Sequence, residues 1–121
     1  MEANLSHEPC TPSATIIIPA HNENRTIGRA LEALTRNCAP NEFDIVVVCN
    51  GCNDETAAIA RRFDGVTVIE IPQPSKTTAI QAGDRVAIAY PRVYMDADVE
   101  LDTDAARALV YSLADGEVLA A

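Results

Sequence analysis

Apolar residues along the chain follow two patterns that alternate. Short, nearly all-apolar runs rich in β-branched residues are typical of strands covered on both faces of a sheet. Between these runs, apolar residues recur at helical spacing, which predicts helices with one buried stripe. The predicted strands are Thr15–Pro19, Ile45–Cys49, Val66–Ile71, Arg92–Met95 and the start of one at Val118–Ala121. The predicted helices are Arg25–Arg36, Asp54–Phe63, one from near Ser75 to beyond Gly83, and Thr103–Ser112.

The alternation of strands and helices predicts an α/β fold, in which a mostly parallel sheet carries helices on both faces. In such a sheet the chemistry is found beyond the carboxyl ends of the strands. Four polar turns should therefore meet along one edge, and the candidate site residues come from them. The turns are Ala20–Asn24, Asn50–Asp54, Gln73–Lys76 and Asp96–Asp98.

Composition and charge restrict the classes of function. The chain has 121 residues, 48% of them hydrophobic, which is enough for one domain with a single core. A formal net charge of −9 argues against nucleic acid or an anionic membrane as the partner. No apolar run approaches the roughly 20 residues of a transmembrane helix. Residues 1–13 lack the pattern of a secretory signal, so we expect a flexible tail followed by one domain over residues 14–121.

Two of the four cysteines, Cys49 and Cys52, form a C-x-x-C pair after the second predicted strand. A structural zinc site would need a second close pair, which Cys10 and Cys38 do not provide. The order of strand, C-x-x-C and helix also suits a thiol oxidoreductase, in which a helix N-terminus lowers a thiol pKa. We favour a buried Cys49 and a small turn residue at Cys52, because the Asn-Gly between them is a strong turn signal. Four cysteines in a chain without a secretory signal suggest a reducing compartment, so we expect a cytoplasmic location.

Asp96 and Asp98 form a D-x-D pair directly after the fourth predicted strand. Residues two apart in a strand project to the same side, so these carboxylates should repel each other unless a cation intervenes. Oxygen ligands suit Mg²⁺ or Mn²⁺, which often complete their shell with water and phosphate. Solvated aspartates that cap the next helix are the alternative. Lys76, the only lysine, and Asn50 are expected at the same edge, where they could meet a phosphate and a base or sugar.

Four segments, taken in order, resemble the signatures of family 2 glycosyltransferases. These are an opening strand with its Pro-Ala-His-Asn-Glu turn, a second strand with its glycine turn, a lysine-to-glycine helix, and the D-x-D motif. The second signature usually contains two aspartates, where this chain has Cys49 and Asn50. An amide rather than a carboxylate would therefore contact the base. The four segments are Thr15–Glu23, Val46–Thr56, Lys76–Gly83 and Met95–Asp98.

The resemblance implies a GT-A domain, a Rossmann-like fold that binds a nucleotide-diphosphate sugar and transfers its glycosyl group to an acceptor, as hexosyltransferases do. It implies a Mg²⁺ or Mn²⁺ ion that is held by Asp96 and Asp98 and bridges the diphosphate, with Asp98 as the more direct ligand. For His21, a turn histidine bonded to the backbone is an equal alternative. The other nucleotide-sugar-binding residues that it implies are Pro19, Ala20, His21, Glu23, Asn50, Lys76 and Ala97.

Family members continue past the D-x-D motif into an acceptor-binding half that supplies the general base of inverting enzymes. We expect that half and the base to be missing here, since Glu100, Asp102 and Asp104 are better explained as helix-start residues. The alternative functions are a catalytically incomplete donor-binding or assembly module that needs another chain, a sugar-phosphate nucleotidyltransferase, and a thiol oxidoreductase. An incomplete sheet edge would favour homo-oligomerisation.

Overall fold

The computed structural model describes residues 11–114, in which four strands and four helices alternate along the chain. The strands are β1 (Thr15–Ala20), β2 (Asp44–Asn50), β3 (Val66–Ile71) and β4 (Arg92–Tyr94). The helices are α1 (Ile27–Thr35), α2 (Thr56–Ala60), α3 (Lys76–Val86) and α4 (Thr103–Leu113). Each predicted element in this range is present, with shifts at its ends. The strand predicted at Val118–Ala121 and residues 1–10 of the predicted tail lie outside the described residues.

All four strands of the described sheet are parallel, in the order β3-β2-β1-β4, which confirms the predicted fold class. β1 pairs with β2 along its whole length but with β4 only over its first three residues. Thr15 N donates to Pro91 O and Ile17 O accepts from Met95 N, so alternate residues of β1 bond towards β4. The N–H of residue 19 would also point towards β4, but β4 has already ended there. Proline, which has no N–H, therefore fits this position without the loss of a hydrogen bond between strands. The strand continues to Ala20 instead of ending at the proline.

Helices cover both faces of the sheet, and alternate residues of the central strands serve each face. On one face, Ile16 and Ile18 lie in a core shared with α1, α2 and α4. On the other face, Ile17 and Val48 pack with Ala79 of α3. Because both faces of these strands are buried, their sequences are continuous apolar runs and not alternating ones.

The close approach of α3 to the sheet depends on Gly83. A Cβ atom at this position would lie 2.7 Å from Cγ2 of Ile17 and 3.4 Å from Cγ2 of Val48. The helix backbone therefore packs directly against the sheet. The two ends of the lysine-to-glycine segment thus have different roles. Gly83 allows α3 to contact the sheet, and Lys76 is the first residue of α3.

Side-chain caps fix where two of the helices begin. Ser75 caps α3 by accepting a hydrogen bond from Thr78 N, and Asp102 caps α4 by accepting one from Ala105 N. Glu55 occupies the N-cap position of α2 without a side-chain bond, while Asp54 Oδ1 accepts a hydrogen bond from Thr56 N at 2.9 Å. The predicted role of Asp102 as a helix-start residue agrees with its contact.

Candidate functional site

A cavity of about 230 Å³ lies at the carboxyl edge of the sheet, where β1, β2 and β4 end and α3 begins. Its walls contain every nucleotide-sugar residue that the sequence predicted, with the exception of Ala20. Ala20 is buried, and its carbonyl oxygen accepts hydrogen bonds from Asn50 Nδ2 at 3.1 Å and from Cys52 Sγ at 3.3 Å. The lining residues are Pro19, His21, Glu23, Asn50, Lys76, Asp96, Ala97 and Asp98.

The turns after β1 and β2 are joined by hydrogen bonds. Asn22 N donates to Cys52 Sγ at 3.3 Å, and Asn53 N donates to Asn22 Oδ1 at 2.7 Å. Glu23 N donates to Thr56 Oγ1 at 2.9 Å. Asn22 has a φ of 53°, a left-handed conformation that asparagine tolerates better than most residues. The two turns therefore form one unit, in which Cys52 acts as a small hydrogen-bonding turn residue.

Gly51 sets the distance between the second turn and the segment that leads to α3. Its φ is 61°, and a Cβ atom there would lie 2.8 Å from Cβ of Pro74. Gly51 N also donates to Ile71 O at 2.9 Å. Only glycine fits this position without displacing Pro74, which precedes Lys76 by two residues. The Asn-Gly pair in the sequence predicts a turn, whereas the tight contact with Pro74 arises only in the folded chain.

Asn50 and His21 present hydrogen-bond acceptors at the cavity. Asn50 is only 4% exposed, and the bond from its Nδ2 to Ala20 O fixes the orientation of its amide. Its Oδ1 accepts no hydrogen bond from any residue between 11 and 114 and is free to meet a ligand. His21 Nδ1–H donates to Asn50 O at 2.7 Å, which leaves Nε2 as the acceptor of the neutral ring. His21 is therefore bonded to the backbone and also lines the cavity.

The D-x-D motif lies in the predicted turn after β4, but its aspartates are not strand residues, which corrects the expectation that strand alternation places them on one side. β4 ends at Tyr94, and Val99 N donates to Asp96 O at 3.1 Å across the turn. The rule that strand residues two apart share a side therefore does not apply here, although both carboxylates line the cavity. Lys76 Nζ lies 2.6 Å from Asp96 Oδ1. Asp98 has neither an ion pair nor a hydrogen-bond donor within the described part of the chain.

Negative charge dominates the walls of this cavity, because three carboxylates face a single ammonium group. The carboxylates are those of Glu23, Asp96 and Asp98, and the ammonium is that of Lys76. Among residues 11–114, no group of three or more His, Cys, Asp and Glu residues could hold a metal ion. The carboxylates present fit a hard cation that takes one or two protein ligands and fills its shell with water and phosphate oxygens. Without a cation, Lys76 alone would oppose the repulsion between these carboxylates and a diphosphate.

A second cavity of about 670 Å³ shares His21 with the first and extends along the ends of β2 and β3. Sequence reasoning did not assign the β3 part of this wall to a site. The available signal was the proline-rich segment that follows the strand. The lining residues are His21, Cys49, Gly51, Cys52, Asn53, Glu70, Ile71, Pro72 and Pro74.

Cys49 lies in the core at the base of the second cavity and is 1% exposed. Its burial, together with the neighbouring Cys52, raises the pKa of its thiol to about 12. A redox-active cysteine needs a pKa below the ordinary value so that its thiolate is populated. The structure therefore opposes the thiol oxidoreductase alternative and agrees with a structural cysteine.

The chain belongs to glycosyl transferase family 2, whose sequence model matches residues 15–121. The 4,4'-diaponeurosporenoate glycosyltransferase of Staphylococcus aureus strain MRSA252 is 34% identical over 114 residues, which cover 88% of this chain. Its counterpart in strain USA300 is 33% identical over the same length. The chain spans 28% of the length of each of these relatives. The family predicted from the sequence motifs is thus confirmed.

Solved structures of S. aureus TarS residues 1–349 share the fold. One has a TM-score of 0.75 at 17% identity, and the match covers 84% of this chain and 32% of the solved TarS chain. The complex of TarS with UDP-GlcNAc has a TM-score of 0.69 at 18% identity and covers 84% and 31%. This likeness confirms the predicted GT-A type of α/β fold. None of the helices between residues 11 and 114 combines the length and apolar character that a membrane crossing requires.

Proposed function

We propose that this chain is the donor-binding part of a glycosyltransferase and binds a nucleotide-diphosphate sugar, whose glycosyl group passes to an acceptor. The observation that carries this proposal is the cavity at the carboxyl edge, which combines acceptors for a nucleoside, a lysine for a phosphate and carboxylates for a cation. The names of the S. aureus relatives, which are glycosyltransferases, and the TarS complex with UDP-GlcNAc support it.

Asn50 and His21 are proposed to contact the nucleoside, with Glu23 beside them. Asn50 Nδ2 donates to Ala20 O, which leaves Oδ1 as an acceptor for a ligand. Uracil, thymine and guanine carry a ring N–H that could donate to this oxygen, whereas adenine and cytosine do not. The second cavity, which shares His21, offers room for the base and the ribose. Pro19 contributes to the wall between the strand end and the phosphates.

A divalent cation, Mg²⁺ or Mn²⁺, would be held at the D-x-D motif with Asp98 as the direct ligand. When bound, the ion neutralises the diphosphate and stabilises the charge that builds on it as the glycosyl bond breaks. Lys76 meets a phosphate oxygen as a point charge. Ala97, buried between the two aspartates, shapes the wall that orients them.

Calorimetric titration with UDP-, GDP- and dTDP-sugars in Mn²⁺ tests the proposal. We expect binding by the wild type and a loss of more than about tenfold for Asp98→Ala, since it removes the direct ligand of the cation. Glu100→Ala removes the same charge two positions further on, outside the cavity walls, and should bind as the wild type does. Equal binding by Asp98→Ala and the wild type would refute the metal role. A wild type that binds none of the sugars would refute the function.

The edge of the sheet favours a second candidate, a donor-binding module that needs another chain. β4 is three residues long and has no described strand on its outer side. Unpaired backbone groups along a sheet edge readily accept a partner strand. Light scattering after size exclusion tests this: a dimer that binds the donor supports the module, and a monomer opposes it.

A further inference from the structure

The two carboxylates of the D-x-D motif have different surroundings. Asp96 Oδ1 forms an ion pair with Lys76 Nζ at 2.6 Å, which links the turn after β4 to the first residue of α3. Asp98 has no such partner among the described residues. Lys76 is the only lysine of the chain, and no arginine between residues 11 and 114 lines this cavity. Lys76 therefore carries the permanent positive charge of the described cavity walls, and it contacts Asp96 and not Asp98.

We propose that Asp96 is a positioning residue for Lys76 and not a metal ligand, and that the pair gives the site a metal-independent share of its affinity for a diphosphate. This inference rests on the proposed function and deepens it. The motif is then divided between two tasks. Asp98 binds the cation, while Asp96 holds the ammonium group where phosphate oxygens can reach it.

The exposure of the pair suits this division. The side chains of Lys76 and Asp96 are 62% and 52% exposed, so an incoming ligand can reach both. Exposed ion pairs are weak, which allows the ammonium group to keep one contact with Asp96 and gain another with a phosphate. Lysine has three donors on one nitrogen and can serve two acceptors at once. Cations such as Mg²⁺ often take a single protein carboxylate when phosphates complete the shell, so Asp98 suffices.

Charge alone predicts the opposite effect for Asp96. If its carboxylate only adds negative charge, replacing it with a neutral amide reduces the repulsion of a diphosphate and tightens binding. If it positions Lys76, the same replacement releases a flexible side chain and weakens binding. The sign of the effect of Asp96→Asn in the absence of metal therefore separates the two explanations.

The test is calorimetric titration of UDP into the full chain, first in EDTA and then in Mn²⁺. In EDTA we expect Asp96→Asn to weaken UDP binding about threefold, within the range of an exposed ion pair. Lys76→Met should weaken it about tenfold, as expected for the loss of a hydrogen bond between charged groups. The double variant should be no weaker than Lys76→Met, because that single variant also leaves Asp96 unneutralised. In Mn²⁺, Asp96→Asn should keep the gain in affinity and Asp98→Asn should lose it.

Arg85→Met is the matched control, since it removes one positive charge from the last turn of α3, at the other end from Lys76. It should leave UDP affinity unchanged in both buffers, and circular dichroism verifies that each variant is folded. The proposal is overturned if Asp96→Asn tightens binding in EDTA, if it abolishes the gain from Mn²⁺, or if the two single losses multiply in the double variant.

Results with the wild type and with Lys76→Met separate this inference from the proposed function. A wild type that binds UDP only in Mn²⁺, or a folded Lys76→Met that binds UDP as the wild type does in EDTA, overturns the inference and leaves the proposed function in place. A wild type that binds none of UDP, GDP and dTDP in Mn²⁺ overturns the proposed function, and the inference falls with it.

Discussion

Replacement of Gly51 by alanine tests how the second turn is fitted against the segment before α3. The φ of Gly51 is 61°, and a Cβ atom there would lie 2.8 Å from Cβ and 3.0 Å from Cα of Pro74. The left-handed backbone costs an alanine about 1–2 kcal/mol. Overpacking against a proline ring, which cannot rotate away, adds about 1–3 kcal/mol. We therefore expect Gly51→Ala to lower the free energy of unfolding by about 2–5 kcal/mol.

Gly65→Ala separates the two contributions. Gly65 has a φ of 80°, but a Cβ atom there would meet nothing within 4 Å, so only the backbone cost of about 1–2 kcal/mol applies. Urea unfolding followed by circular dichroism gives the free energy of unfolding of both variants by linear extrapolation. The difference between the two variants measures the contact with Pro74.

Equal losses of stability in the two variants would show that the contact with Pro74 has no energetic weight. UDP affinity gives a second measurement. Pro74 precedes Lys76 by two residues, so a folded Gly51→Ala should bind UDP more weakly than the wild type. Gly65 lies just before β3, at the amino edge of the sheet, and its replacement should leave UDP affinity unchanged.

Three further substitutions test helix packing and an ion pair. Gly83→Ala should lower the free energy of unfolding by about 1–3 kcal/mol, because its Cβ would lie 2.7 Å from Ile17 Cγ2. Gly28→Ala, with an ordinary contact of 3.4 Å, should raise it by about 0.5 kcal/mol. A stabilising Gly83→Ala in urea unfolding would contradict the packing. The hydrogen bond from Arg107 lowers the pKa of Glu42 from 4.5 to about 2, so the stability from this pair is present above pH 4.5 and lost as pH falls towards 2. Arg107→Gln should therefore lose less stability than the wild type between pH 6 and pH 3, and parallel losses would contradict this.

The strands could be predicted almost to the residue where turn-forming residues bound an apolar run. Val66–Ile71 agrees with β3 at both ends, since prolines and a glycine turn bound the run. The end of β1 was predicted one residue early, because proline usually terminates a strand. Whether Pro19 terminates β1 depends on whether its backbone nitrogen faces a neighbouring strand. The pairing of β1 with β4 determines which way that nitrogen faces. A single sequence does not contain this information.

The residues of the candidate site could be predicted because parallel strands bring the turns that follow them to one edge. The contacts among these residues could not, since they depend on turn geometry. The D-x-D motif lies in a turn, which the alternation of strand side chains does not describe. Two examples are the hydrogen bond from Asn50 to Ala20 and the ion pair of Lys76 with only one of the two aspartates. Both contacts depend on how the turns are oriented relative to one another in the fold. No periodicity along the chain encodes them.

The position of His21 has a consequence for ligands of different size. Its imidazole forms part of the boundary of both cavities and is tethered through one nitrogen to the backbone of Asn50. A ligand that contacts the imidazole from one cavity therefore restrains the same ring for a ligand in the other cavity. Joining two weakly bound fragments makes the second contact intramolecular, so a complete nucleotide gains far more than its parts. Free uridine and free pyrophosphate should accordingly be poor competitors, even when both are present together.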